Sequence, residues 1–249
     1  MAWKWYDSHI TRIADESPTT KRFWLEISGD EPFDFKAGQF ITMDLPISDK
    51  RLKRWRSYSI ANAPDPGSRE LEFCIVQLNG GSASHYLFEE AAVGTSVRFK
   101  GPDGNFCLPE VIQSDIVMIC TGTGIAPFRS MLLDIVKRGI AHRRIHLIFG
   151  CRKADSILYR EEMEQLCREI PQFSYSVALS REEQINPDDF SFEVCKGYVH
   201  QIYMHQYEQA RPDVHFYLCG WSNMIDDAVA NLIVKLGYDR TQVHYELYG

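Results

Sequence analysis

The chain has 249 residues, 45% of them apolar and 24% charged, with a formal net charge of -7, enough to bury the cores of two modest domains or of one large one. The acidic balance excludes a nucleic-acid binder with a broad basic face, and no apolar run reaches membrane-spanning length. The seven cysteines include no C-x-x-C pair and no Cys/His set at zinc spacing, which speaks against a bound metal or an iron-sulfur cluster. Scattered thiols of this kind and an N-terminal MAWKWYDSH without the apolar centre of a leader lead to an expected cytoplasmic location.

Up to residue 109 the chain is a series of short runs rich in β-branched and aromatic residues, parted by Gly, Pro and Asp turns. They are TKRFWLEI (20–27), QFITMDL (39–45), RSYSIA (56–61), ELEFCIVQL (70–78) and TSVRFKG (95–101), with one helix, ASHYLFEEA (83–91), among them. Closing such strands into an antiparallel Greek-key β-barrel removes open edges. Residues 1–109 are therefore expected to form a barrel domain, with the turn GPDGNF (101–106) breaking the pattern near its end.

From Asp115 onward strands and helices alternate. DIVMIC leads to FRSMLLDIVKRG, RRIHLIFG to YREEMEQLCREI, FSYSVALS to GYVHQIYMHQYEQA, and VHFYLCG to MIDDAVANLIVKLG, before a last strand QVHYELYG. This order predicts right-handed crossovers and a parallel sheet over residues 110–249. Ligands of such sheets bind at the carboxyl ends of the strands, where TGTG, SRE and CGWSNM fall.

The loop Thr121-Gly122-Thr123-Gly124 follows a strand and opens a helix. Its glycines permit a tight turn and close approach of a diphosphate to backbone N–H groups at the helix start. Pro127 fits the first helical turn, where a missing donor costs nothing. A glycine turn without a ligand is the alternative. In RWRSYSIAN, strand alternation sends Arg56 and Tyr58 to one face and Ser57 and Ser59 to the other; alone, this is equally an ordinary strand with an exposed arginine. In GGSASHYL, Gly81 to Ser84 open a helix, as a second anion site or with Ser82 or Ser84 as a plain N-cap.

Together the motifs are more specific. R-x-Y-S from Arg56 to Ser59, G-x-x-S from Gly81 to Ser84, G-T-G-I-A-P from Gly122 to Pro127, C-G-x-x-x-M from Cys219, and E-L-Y near the C-terminus occur in that order. Over essentially its whole length the chain resembles the ferredoxin-NADP reductase family of flavoenzymes. The resemblance implies a flavin barrel followed by a nicotinamide-nucleotide domain. Arg56 matches the arginine that holds the flavin diphosphate, Tyr58 the tyrosine that packs on the isoalloxazine ring, and Ser59 the serine near flavin N5. Ser57 lies within that motif, and Gly81, Ser82, Ala83 and Ser84 match the loop that meets the FAD diphosphate, which implies FAD rather than FMN. Cys219, followed by Gly220, matches the cysteine beside the nicotinamide. Glu246 and Tyr248 match the plant-type glutamate that orients nicotinamide or relays a proton and the tyrosine that stacks on the flavin, although here Gly249 follows. The compact CIVQLNGGSAS lacks the plant-type adenine-stacking segment.

The resemblance extends to nucleotide selectivity. Ser180, Arg181, Lys196 and Tyr198 could together give a 2'-phosphate its charge-assisted donors, and they resemble the NADP-selective members. NADH remains an alternative, because NADH-using relatives also show S-R and G-Y-V. The implied reaction is hydride transfer between nicotinamide C4 and flavin N5, with Ser59, Cys219 and Glu246 shaping the pocket. The implied acceptor is a separate electron carrier, a ferredoxin or flavodoxin, since no cysteine-rich extension is fused to the chain. The basic run RLKRWR (51–56) offers a surface to steer it. An NADH-dependent oxygenase reductase, a non-catalytic flavoprotein subunit and a flavin-free dehydrogenase are the competing readings.

Overall fold

Alternating apolar residues in the first half fold as an antiparallel sheet of six strands, β1 (Trp5–Ser17), β2 (Thr20–Ile27), β3 (Phe40–Asp44), β4 (Trp55–Ser59), β5 (Glu70–Val76) and β6 (Ser96–Asp103), in the spatial order β4-β3-β6-β1-β2-β5. These positions come from a computed structural model that describes residues 4–30 and 33–248; the N-terminal MAW, Glu31, Pro32 and Gly249 lie outside the described residues. The two end strands approach where the Ala61 N–H donates to the Glu72 carbonyl at 2.8 Å and the Glu72 N–H donates to Asn62 Oδ1 at 2.8 Å. This contact rolls the sheet into the expected barrel. Ile10, Phe23, Leu25, Ile41, Met43, Phe73 and Phe99 fill it.

Two short helices, α1 (Arg51–Arg54) and α2 (Ser82–His85), lie on the barrel's connections, and α2 runs on into a π-helical turn, Tyr86–Glu90. The sequence pattern does not announce β1, although it is the longest strand and pairs with both β2 and β6. The expected turn at 101–106 starts late, because β6 continues through Asp103.

The second half builds a parallel sheet from β7 (Asp115–Thr121), β8 (Ile145–Cys151), β9 (Phe173–Leu179), β10 (Glu193–Lys196), β11 (Val214–Trp221) and β12 (Val243–Tyr248), ordered β10-β9-β8-β7-β11-β12. Its inner strands are continuous apolar runs, as a sheet covered on both faces requires. The helices are α3 (Ile125–Arg138), α4 (Arg160–Glu169), α5 (Val199–Gln206) and α6 (Ser222–Val229). On one face Val117, Ile119, Phe216 and Leu218 pack with Val199, Ile202 and Tyr203 of α5 and with Ile225 and Ala228 of α6.

The described chain forms two compact units. One runs through Leu108 and includes Ala126–Lys137 of α3; the other comprises Pro109–Ile125 and the chain from Arg138 onward. Within the first unit, Arg129 Nη1 donates to the Ala61 carbonyl at 2.8 Å and to Glu72 Oε2 at 2.9 Å, and Ser130 Oγ donates to the Asn62 carbonyl at 2.7 Å. Glu72 also accepts from Arg22 Nε at 2.7 Å. Among the described residues no helix is long and apolar enough to cross a membrane.

Candidate functional site

In the barrel, β4 pairs along its length with β3, placing Arg56 opposite Met43, Ser57 opposite Thr42, Tyr58 opposite Ile41 and Ser59 opposite Phe40. Directly opposed residues share a sheet face, so Arg56 and Tyr58 lie on the side of Met43 and Ile41. Ser57 lies on the other, with its hydroxyl 3.0 Å from that of Thr42. The alternation read from the sequence is thus present. Burial pushes the Tyr58 phenol up to about 12, against the pull of Arg56, so the ring stays neutral. Arg56 Nη1 donates to the carbonyls of Lys53, at 3.0 Å, and Trp55, at 2.7 Å. Ser59 is buried.

Gly81 is the N-cap of α2, and it supplies no capping side chain, so neither Ser82 nor Ser84 caps this helix. The Ser84 hydroxyl instead fastens the loop: it accepts from the Leu78 N–H at 3.0 Å and reaches the Gly81 carbonyl at 3.0 Å. Ser82 is exposed and Ala83 is buried. The first N–H groups of the turn have no helical acceptor, which suits an anionic group there.

In the second unit the glycine loop is a short 3₁₀ turn, Gly122–Gly124, between β7 and α3. Because α3 begins at Ile125, Pro127 falls in its first turn as expected. Gly124 and Gly220 make the end of β7 and the end of β11 interlock. A Cβ on Gly124 would run into the Cys219 carbonyl, and Gly220, at φ +133°, would place one 2.6 Å from Thr121 Oγ1. The Trp221 N–H donates to Thr121 Oγ1 at 3.4 Å. Thr121, Gly122 and Thr123 are half-buried around this cradle.

Cys219 is fully buried and pairs in register with Cys120 on one side and Glu246 on the other. Burial, then the Glu246 carboxylate, push its thiol well above the usual range, while a side-chain hydrogen bond with Tyr248 pulls it down. The thiol therefore stays protonated near neutrality. Glu246 and Tyr248 occupy alternate positions of β12 and so share the face of Cys219.

The third group lies at the ends of β9 and β10. Ser180 donates from its hydroxyl to the Cys151 carbonyl at 3.2 Å, and the Arg181 N–H donates to the Arg152 carbonyl at 2.8 Å. Lys196 Nζ donates to the Glu183 carbonyl at 3.1 Å, which ties the two loops together. Tyr198 is 63% exposed and stacks on His200, with centroids 5.6 Å apart and planes 12° apart. The motifs do not single out His200 or Trp221. The signals were available: His200 is two residues beyond Tyr198, and Trp221 directly follows Cys219-Gly220 and is 53% exposed beside the glycine turn.

A barrel with a glycine-opened helix and a parallel sheet with a glycine turn at the end of β7 each offer backbone N–H groups suited to an anionic group. Residues 7–107 match the oxidoreductase FAD-binding domain and residues 118–230 the oxidoreductase NAD-binding domain. The chain is 30% identical to ferredoxin-NADP reductase B of Sorangium cellulosum, over 98% of this chain and 97% of that protein. It is 33% identical to the reductase component of phenol 2-monooxygenase from Pseudomonas sp. strain CF600, over 94% of this chain, and spans 63% of that protein's length. Among solved structures, an Amycolatopsis cytochrome P450 reductase superposes with a TM-score of 0.84 at 26% identity, covering 98% of this chain and 69% of the other. The chain belongs to the ferredoxin reductase-like family of FAD- and NAD-binding oxidoreductases.

Proposed function

We propose that the protein takes electrons from NADPH through FAD and passes them to a separate one-electron carrier, a ferredoxin or flavodoxin. The observation that supports this most is the similarity to ferredoxin-NADP reductase B along nearly the whole of both chains. In this reading residues 1–109 serve FAD and residues 110–249 serve the nicotinamide nucleotide. The scattered cysteines, with no C-x-x-C pair among them, support a reducing compartment, the cytoplasm.

The chemistry that bound FAD supplies is acceptance of a hydride at N5 from nicotinamide C4 and its release as single electrons. Binding and alignment fall to the chain. Arg56 offers charge, and the α2 loop from Gly81 to Ser84 offers backbone donors, to the FAD diphosphate. Tyr58 presents a neutral ring for stacking, and Ser59 a hydroxyl for N5. Thr121 to Gly124, with Pro127 pre-setting the helix, cradle the nicotinamide nucleotide's diphosphate, and Gly220 keeps the space beside it clear. Cys219, protonated, lines the hydride pocket rather than attacking anything. Glu246 orients the nicotinamide amide, and Tyr248 supplies an aromatic ring for stacking. Ser180, Arg181, Lys196 and Tyr198 serve the 2'-phosphate.

A second reading, an NADH-dependent oxygenase reductase, is favoured by the similarity to the phenol 2-monooxygenase component. It is also favoured by Glu182 and Glu183 directly after Arg181, since both oppose a phosphate. Anaerobic mixing with NADPH and with NADH, followed by ferredoxin or flavodoxin, separates the two. Faster flavin bleaching by NADPH and reoxidation by the carrier support the first reading; bleaching by NADH alone transfers the assignment to the second. No bleaching with either donor leaves neither standing.

A further inference from the structure

Glu193 opens the edge strand β10, and its side chain turns back onto the sheet. Its Oε2 accepts from the Ser176 hydroxyl at 2.6 Å and from the Gln206 amide at 3.0 Å. Ser176 Oγ lies 2.8 Å from His146 Nε2, and His146 Nδ1 lies 2.8 Å from the Tyr207 hydroxyl. A serine has one hydroxyl proton, and the carboxylate takes it, so toward His146 this oxygen can only accept. Nε2 therefore carries the imidazole proton, Nδ1 is bare, and Tyr207 donates to it. His146 and Ser176 are buried, and burial keeps the imidazole neutral by pushing its pKa down to about 4. One carboxylate at the rim thus sets the direction of a hydrogen-bond chain through β9 and β8 to Tyr207, the C-cap of α5.

This matters because β10 has only four residues and, among the described residues, pairs with β9 alone. A short strand with one neighbour has few contacts to define its register. The Glu193 to Ser176 bond joins residues that are also register partners, and so pins the strand at its first position. At the other end the Gly197 N–H donates to the Leu179 carbonyl at 2.9 Å, Lys196 reaches the Glu183 carbonyl, and the Tyr198 N–H donates to Gln201 Oε1 at 3.2 Å. Gly197, at φ +123°, leaves the room that the Gln201 side chain occupies.

We propose that Glu193 is a positioning residue for nucleotide selectivity: acting through Ser176 and His146, it fixes the register of β10 and with it the place of Lys196 and Tyr198 around a 2'-phosphate. The inference rests on reading those two residues as 2'-phosphate ligands, and the experiment tests the two ideas separately. Calorimetric titration of the holoprotein with 2',5'-ADP and with 5'-AMP is compared for wild type, Glu193→Ala, Glu193→Gln and Ser176→Ala. Wild type is expected to favour 2',5'-ADP. Glu193→Ala should lower that affinity about tenfold, the scale of one charge-assisted hydrogen bond, with 5'-AMP binding unchanged. Glu193→Gln, which keeps an acceptor oxygen, should retain most of the preference. Long-range ¹⁵N–¹H NMR should show His146 as the Nε2–H tautomer in wild type and a mixture in Glu193→Ala.

A wild type that prefers 2',5'-ADP, with the ratio preserved in Glu193→Ala, overturns the positioning role and leaves the phosphate reading intact. A wild type without preference overturns both. Equal losses for the two ligands reduce Glu193 to general structural support and also overturn the proposal. Should Glu193→Ala not fold, Ser176→Ala, which cuts the same chain one group further in, decides by the same ratio.

Discussion

Gly124 packs against Cys219 so closely that a side chain at position 124 has no room: a Cβ would meet the Cys219 carbonyl and come within 2.8 Å of the Gly220 Cα. The neighbouring Gly220 is bound in the same way to Thr121, with 2.9 Å from its would-be Cβ to the Thr121 carbonyl oxygen. Gly124→Ala must therefore push the turn away from β11. The expected result is normal flavin content with flavin reduction by the nicotinamide nucleotide slowed about tenfold or more, as misplacement of a bound reactant does. Stopped-flow absorbance measures it, and an unaltered rate would detach this turn from nucleotide binding.

Arg129 and Glu72 form an ion pair whose side chains are only 7% and 5% exposed. Removing one partner of such a pair leaves a buried charge without its counter-charge. Arg129→Ala is expected to cost about 3 kcal/mol, moderated by Arg22, which still holds the other carboxylate oxygen. In denaturant titrations of the two single variants and the double variant, the double should lose less than the sum of the singles. Strict additivity would mean that the pair contributes no coupling.

The buried His146 makes stability depend on pH with a definite sign. Its pKa falls from 6.5 to about 4 on folding, chiefly through burial. Between these values the unfolded chain binds the proton and the folded chain does not, so stability rises with pH. The contribution is complete above about pH 6.5 and is lost as pH falls toward 4, a swing on the order of 3 kcal/mol. Urea midpoints between pH 4 and 7 test it in wild type and in His146→Gln. The variant should lose this part of the slope; an identical slope would assign the dependence to other groups.

Arg51 and Lys53 of α1 are exposed on either side of Leu52, itself 81% exposed. If this basic turn steers an acidic carrier, the bimolecular rate of carrier reduction must fall as salt rises. Lys53→Glu should lower that rate about fivefold at low ionic strength and by less at high, where the charges are screened. A salt profile that is flat in wild type and in Lys53→Glu would remove α1 from the docking surface.

Much of this was legible in the sequence because the chemistry-bearing turns lie at the ends of strongly apolar strands. DIVMIC and VHFYLCG deliver Thr121 to Gly124 and Cys219 to positions that a parallel sheet places side by side. The strand β1 was not legible, because of its 13 residues only Ser8 and Ile10 are buried, and one of these is polar. Its place comes from backbone pairing on both sides, which leaves little mark on side-chain pattern. The same holds for β10, a four-residue strand whose anchor is a carboxylate. At the start of α2 the structure decides against the serine N-cap alternative. Serines favour N-caps, but here Ser84 spends its hydroxyl on Leu78 and Gly81, and glycine takes the cap.

The grouping of Ala126–Lys137 with the barrel bears on how such a protein can be taken apart. A cut in the chain near residue 109, between the two matched family domains, would strip the barrel of a helix that supplies Arg129 to Glu72 and Ser130 to the Asn62 carbonyl. Chimeras with relatives should therefore exchange the barrel and this helix as one cassette, even though the Gly122–Gly124 turn and all of β7 lie between them in the sequence.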